Sequence, residues 1–259
     1  MERLHFDKME TLQAHGEGTW QRLVFNELAA TLTSEARPFP CVFGVNGFRT
    51  NQLRFAFLDP LDAGHLAPIL RAYLAEARSY GPNTSLVVFS RPGAVGSIES
   101  YHTRFWSLLN GLASIDRTAW PEDIPQELDH PHWEFCFAGE PVFVVCNTPA
   151  HVLRQSRRAS IFMLTFQPRW VFDRILGSPK AAESAFEKVR DRLRPYDFLA
   201  PSPVLGRYGE KANREFEQYF IGETNEKPKC PFAKLGQGLK RVHTAPALQP
   251  MLQQEEKAA

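Results

Sequence analysis

Residues 133–147 read WEFCFAGEPVFVVCN, and the fold turns on this stretch. Two apolar runs flank Ala138-Gly139-Glu140-Pro141, whose Gly and Pro suit a tight reversal of the chain. The pattern predicts a β-hairpin and therefore antiparallel pairing. In an extended chain successive side chains point to opposite faces. Trp133, Phe135 and Phe137 then share a core face, and Glu134 and Cys136 the other. His130 and His132 continue the parity of Glu134 and Cys136, interrupted by Pro131.

Outward from this hairpin, CVFGVNG (41–47) and LRFAFL (53–58), split by a short polar stretch, predict a second hairpin. SLVVFSRPG (85–93) reads as a short buried strand, and ASIFMLTFQPRWVF (159–172) as a strand running into a turn. Helical spacing of apolar residues marks 66–81, 97–115 and 180–196, and a short helix within 211–222. A further helix over 7–34 breaks near Gly16 and Gly18. The expected fold is α+β: a single domain with a mostly antiparallel sheet of about six strands and flanking helices. Its expected bounds are a helical segment at 1–35, the α+β domain at 36–233, and a polar tail at 234–259.

The 259 residues are 43% hydrophobic and 23% charged, ordinary values for a globular chain with a sizeable core. Thirty basic against 29 acidic residues give a net charge of +1, so the overall balance gives no reason to expect nucleic acid or an anionic membrane as a partner. No run approaches the ~20 apolar residues of a membrane span. The opening MERLHFDKMETLQ lacks the basic start and apolar middle of a signal peptide, so the expected location is the cytoplasm. Cys41, Cys136, Cys146 and Cys230 form no CxxC pair. No P-loop, GxGxxG after a strand, GxSxG elbow or HExxH is present.

Several side chains could still carry chemistry. His130, His132, Glu134 and Cys136 are metal-donor types, but alternate strand residues lie ~6.5–7 Å apart, too far for four to share one ion. Glu134 facing a cavity could hold a cationic nitrogen, or could pair with a nearby arginine. Arg154, Arg157 and Arg158 in HVLRQSRR, with Arg169 beyond, suit haem propionates, a substrate carboxylate or a phosphate, unless they form a solvated surface. Cys41 begins an apolar segment with Phe43 and Val45 on its side, and Cys230 precedes a proline. A thiolate can be the axial ligand of a haem, but a buried thiol at Cys41 and a loop thiol at Cys230 are the default readings of these positions.

Taken in order, PFPCVFGVNGFRTNQLRFAF, YHTRFWSLL, WEFCFAGEPVFVVCNTPAH, RQSR, FMLTFQPRWVFD and KCPF resemble the YqcI/YcgG family over about residues 36–233. The resemblance implies a haem-dependent N-oxygenase of natural-product pathways, hydroxylating a guanidine or amine nitrogen of a small amino-acid-like substrate. It implies haem b as cofactor and O2 as co-substrate. No flavin or nicotinamide motif is visible, so electrons would come from an external reductant or donor protein. By the same resemblance Cys41 is the first choice for axial ligand to the haem iron, then Cys230, then His132. Arg157 and Arg158 become propionate partners, Glu134 the anchor for a guanidinium or ammonium, and Phe43, Trp133 and Cys136 pocket walls. The alternative is a haem-binding sensor or carrier without catalysis.

Overall fold

In a computed structural model, which describes residues 4–175 and 179–226, seven helices surround one five-stranded sheet. In chain order these are α1 (Lys8–Ala14), α2 (Trp20–Thr33), α3 (Val42–Arg49), β1 (Arg54–Leu58), α4 (Ala63–Tyr80), β2 (Leu86–Ser90), α5 (Ile98–Ile115), β3 (Cys136–Phe137), β4 (Glu140–Asn147), β5 (Met163–Pro168), α6 (Arg169–Ile175) and α7 (Pro179–Tyr196). The sheet order is β1-β2-β5-β4-β3. The α+β class stands, with five strands in place of about six.

The hairpin over 133–147 is β3–β4, antiparallel, with Cys136 opposite Pro141 and Phe137 opposite Glu140. Its turn places Ala138 (φ 53°) and Gly139 (φ 78°) in the left-handed region, which gives a two-residue turn the twist its strands need. Alanine tolerates that backbone here because its N–H is held by Asp116 Oδ2 at 2.6 Å.

The second expected hairpin does not form. Residues 42–49 are α3, and β1 pairs instead with β2, in parallel, across the α4 crossover. Short apolar runs are ambiguous between strand and helix, and local contacts decide this one. Cys41 is the N-cap, its sulfur accepting the Gly44 N–H at 3.3 Å. Gly47 lets the helix lie against the chain at Asn83, since a Cβ there would sit 2.3 Å from the Asn83 carbonyl oxygen.

Strand alternation sorts the core into two. Leu86, Val88, Val142, Val144, Leu164 and Phe166 join the α4 and α5 side chains, with Cys146 among them. Phe55, Val87, Phe89 and Met163 point the other way, against Val24 and Phe25 of α2 and Phe48 of α3. On this second face Phe143, Val145 and Asn147 of β4 line a cavity with Thr165 and Gln167 of β5.

Candidate functional site

That cavity holds about 310 Å³, at the lower end of the ~300–1,000 Å³ usual for ligand sites. The sheet forms its floor. Phe39, Cys41 and Phe43 line one side, α7 contributes Phe186 and Val189, and the chain at 205–221 contributes Tyr208 and Glu215. Arg154, Arg157, Arg158 and Arg169 also line it.

Cys41 sits at the positive end of the eight-residue α3, a setting that favours thiolate. Burial pushes its thiol up, while the Gly44 and Phe43 N–H groups and the charges of Arg157 and Arg192 pull it down. Burial prevails, so the thiol lies above its ordinary value.

Arg157 is buried and donates to the carbonyls of Tyr219 at 3.3 Å and Gln218 at 3.0 Å. Among the described residues no carboxylate lies within ion-pair distance of it. Burial, and then Arg154, bring its guanidinium down to about 10. Arg158 is exposed and reaches the carbonyls of Pro149 and His151. Arg154 is committed elsewhere: it clamps Gly222, Thr224 and Asn225, tying the 222–225 segment to the site.

Glu134 does not reach the cavity. It is fully buried, with both oxygens taken by Arg169 at 2.6 and 2.8 Å. Arg169 Nη2 also donates to Glu215 Oε1 at 2.6 Å, and the guanidinium carbon lies 3.8 Å from the Tyr208 ring centre. Two carboxylates thus share one cation. Burial raises Glu134 to about 7; Arg169 draws it down and Glu215 pushes it up.

The expected division of the 133–137 segment into a core face and a cavity face does not hold. Trp133, Glu134, Phe135 and Cys136 are all buried: Phe216 packs against Trp133, the Phe135 N–H donates to the Tyr219 hydroxyl, and Arg169 covers Glu134. Trp133 and Cys136 are not among the cavity walls, whereas Phe43 is. His130 and His132 are exposed in the turn before β3, and His132 packs against Tyr208 outside the cavity. Cys230 lies outside the described residues. Among the described residues, no three His, Cys, Asp or Glu side chains gather to hold a metal ion, and no helix is long and apolar enough to cross a membrane.

Two residues of this site, Glu215 and Tyr208, carried no sequence signal. Glu215 lies in a polar stretch, KANREFEQYFIG, that reads as surface, and only the folded chain brings it to Arg169.

Comparison with known proteins matches residues 28–233 to the pattern of the YqcI/YcgG family. The chain belongs to that family. Among YqcI/YcgG relatives, it is 46% identical over 225 residues to "Uncharacterized protein YcgG" of Bacillus subtilis (strain 168), covering 83% of this chain and 89% of that one. "Uncharacterized protein YqcI" of the same organism is 42% identical over the same shares. "Putative N(omega)-hydroxy-L-arginine synthase DcsA" of Streptomyces lavendulae is 33% identical over 229 residues, 84% of this chain and 85% of that one. No solved structure matches this YqcI/YcgG chain.

Proposed function

We propose that the protein is a haem-dependent N-oxygenase that hydroxylates a guanidine or amine nitrogen of a small amino-acid-like substrate, using O2 and electrons from an external donor. The observation that carries this reading is that the Cys41 thiol and the carboxylate-free Arg157 line one cavity with aromatic walls. The printed name of the Streptomyces lavendulae relative supports the reaction class.

The donor set fits a haem. Cys41 would offer its sulfur to the haem iron, with the Gly44 N–H at 3.3 Å to steady it. Arg157 and Arg158 suit two propionates, and Phe39, Phe43 and Phe143 offer flat apolar surface. When bound, the haem would activate O2, with the thiolate donating electron density that favours O–O cleavage.

The remaining work falls to the chain. The apolar floor of Val87, Phe89, Phe143 and Met163 keeps water from the reacting atoms, which limits wasteful release of reduced oxygen. Arg154 holds the 222–225 segment, and Arg157 donates to the Gln218 and Tyr219 carbonyls, fixing the wall beside the substrate. Glu134 acts through Arg169 and does not itself touch substrate.

The test is to purify the protein from cells supplied with a haem precursor, record its visible spectrum, and assay N-hydroxy products from guanidines and amines with reductant and O2. A Soret band with turnover is expected. Haem without turnover across a broad panel would indicate a carrier or sensor, and absence of haem would overturn both.

A further inference from the structure

We infer that Glu215 is the residue that anchors the cationic group of the substrate, guanidinium or ammonium, within this cavity. The inference rests on the reading that the cavity is the substrate site, and it moves the anchoring role from Glu134, which does not reach the cavity, to Glu215, which does.

Glu134 and Glu215 both bind Arg169, so two negative charges face one positive charge in a buried setting. Such an imbalance is costly unless a proton or an external cation corrects it. Access then separates the two carboxylates. Glu134 is fully buried and has both oxygens on Arg169, whereas Glu215, 5% exposed, lines the cavity.

Glu215 is also held in place without being saturated. Its Oε1 accepts from Arg169 at 2.6 Å, and its Oε2 accepts from Asn213 Nδ2 at 3.0 Å, with a longer contact to Gln218 Nε2 at 3.4 Å. A carboxylate offers about four acceptor positions, which leaves room for an incoming N–H donor. Tyr208 and Phe172 line the cavity and both lie against Arg169, adding aromatic surface that favours a cation.

Asp197, another carboxylate of the cavity wall, is a weaker candidate. Its oxygens accept from the Ser156 N–H at 2.6 Å and hydroxyl at 2.8 Å, and the charges of Arg154 and Arg157 act on it. Both of its oxygens are already engaged.

Calorimetric titration of the purified protein tests the assignment. The probes are L-arginine, agmatine and guanidinium chloride, each against a neutral isostere, L-citrulline for arginine and urea for guanidinium. At least one cation is expected to bind, with its neutral isostere tenfold weaker or worse. Glu215→Gln is expected to weaken the cation tenfold or more and leave haem content and Soret position unchanged, while Glu215→Asp recovers part of the loss. Equal binding of cation and isostere by the unaltered protein overturns the inference even if Glu215→Gln does not fold. So does failure of every cation to bind, or a folded Glu215→Gln that binds as the parent does. Cation selectivity in a protein that takes up no haem would sink the N-oxygenase reading and leave this one standing. N-hydroxylation by a folded Glu215→Gln with unchanged KM would do the reverse.

Discussion

Arg169 grips Glu134 through two parallel hydrogen bonds, Nε to Oε2 at 2.6 Å and Nη2 to Oε1 at 2.8 Å, with 8% and 0% of the two side chains exposed. The same Nη2 also holds Glu215, so this guanidinium joins the root of α6, the start of the β3–β4 hairpin and the wall of the cavity. Removing it would leave two buried carboxylates facing each other. Arg169→Met is therefore expected to cost about 3–5 kcal/mol, and Glu134→Gln about 1–2 kcal/mol because a neutral amide still accepts from the guanidinium. Urea denaturation of the two variants checks this, and an Arg169→Met protein as stable as the parent would show that the cluster is not dry.

The cluster also sets a pH dependence. Glu134 is raised to about 7 by burial, against an unfolded value of ~4.3. A raised folded value means that the stabilisation is complete below about pH 4 and is lost as pH rises through about 7. The stability of the unaltered protein relative to Glu134→Gln is expected to fall between pH 5 and 8. Arg169, Glu215 and Asp173 are the charges that act on Glu134, so the transition belongs to the cluster as a unit. A proton there competes with a bound cation, and arginine is expected to bind more tightly at pH 8 than at pH 6. A stability advantage over Glu134→Gln that grows from pH 5 to 8, or arginine bound more tightly at pH 6 than at pH 8, would contradict this account.

Gly47 controls the placement of Cys41. Alanine in a helix ordinarily gains up to ~1 kcal/mol over glycine, but here its Cβ would meet the Asn83 carbonyl at 2.3 Å and Leu53 at 2.9 Å. Backbone cannot yield as a side-chain tip can, so Gly47→Ala is expected to cost about 1–3 kcal/mol and to lower haem retention by shifting α3. Gly16→Ala, where a Cβ meets nothing within 4 Å, serves as the control and should stay within about 0.5 kcal/mol of the parent in thermal or urea unfolding.

Much of this fold could be read from the sequence because its signals are local. The helices over 63–80, 98–115 and 179–196 follow from apolar spacing and their ends, and the 133–147 hairpin from its turn. The break between α1 and α2 follows from Gly16 and Gly18. The helix at 42–49 was not legible, because Val42, Phe43 and Val45 suit a strand and the deciding contacts come from Asn83. The parallel pairing of β1 with β2 is hidden with it, because a strand at 42–49 would itself be the hairpin partner of β1.

The site was legible only in part. Cys41 and the arginines stand out as residue types, and the structure gathers Cys41, Phe43, Arg157 and Arg158 around one cavity. Pairing of Glu134 with an arginine is among the sequence readings and holds, but which arginine, and that Glu215 shares it, is not legible: Arg169 lies 35 positions from Glu134, and Glu215 a further 46 from Arg169. A charged residue reads as surface until the fold supplies its counter-ion.

The visible spectrum of the haem-supplied protein, recorded beside Cys41→Ser and Cys146→Ser, tests the central claim most directly. Cys146 belongs to the core on the opposite face of the sheet, away from the cavity. A Soret band that is shifted or lost in Cys41→Ser and retained in Cys146→Ser is the expected result. A Soret band indifferent to Cys41, or none in any of the three proteins, would contradict the account.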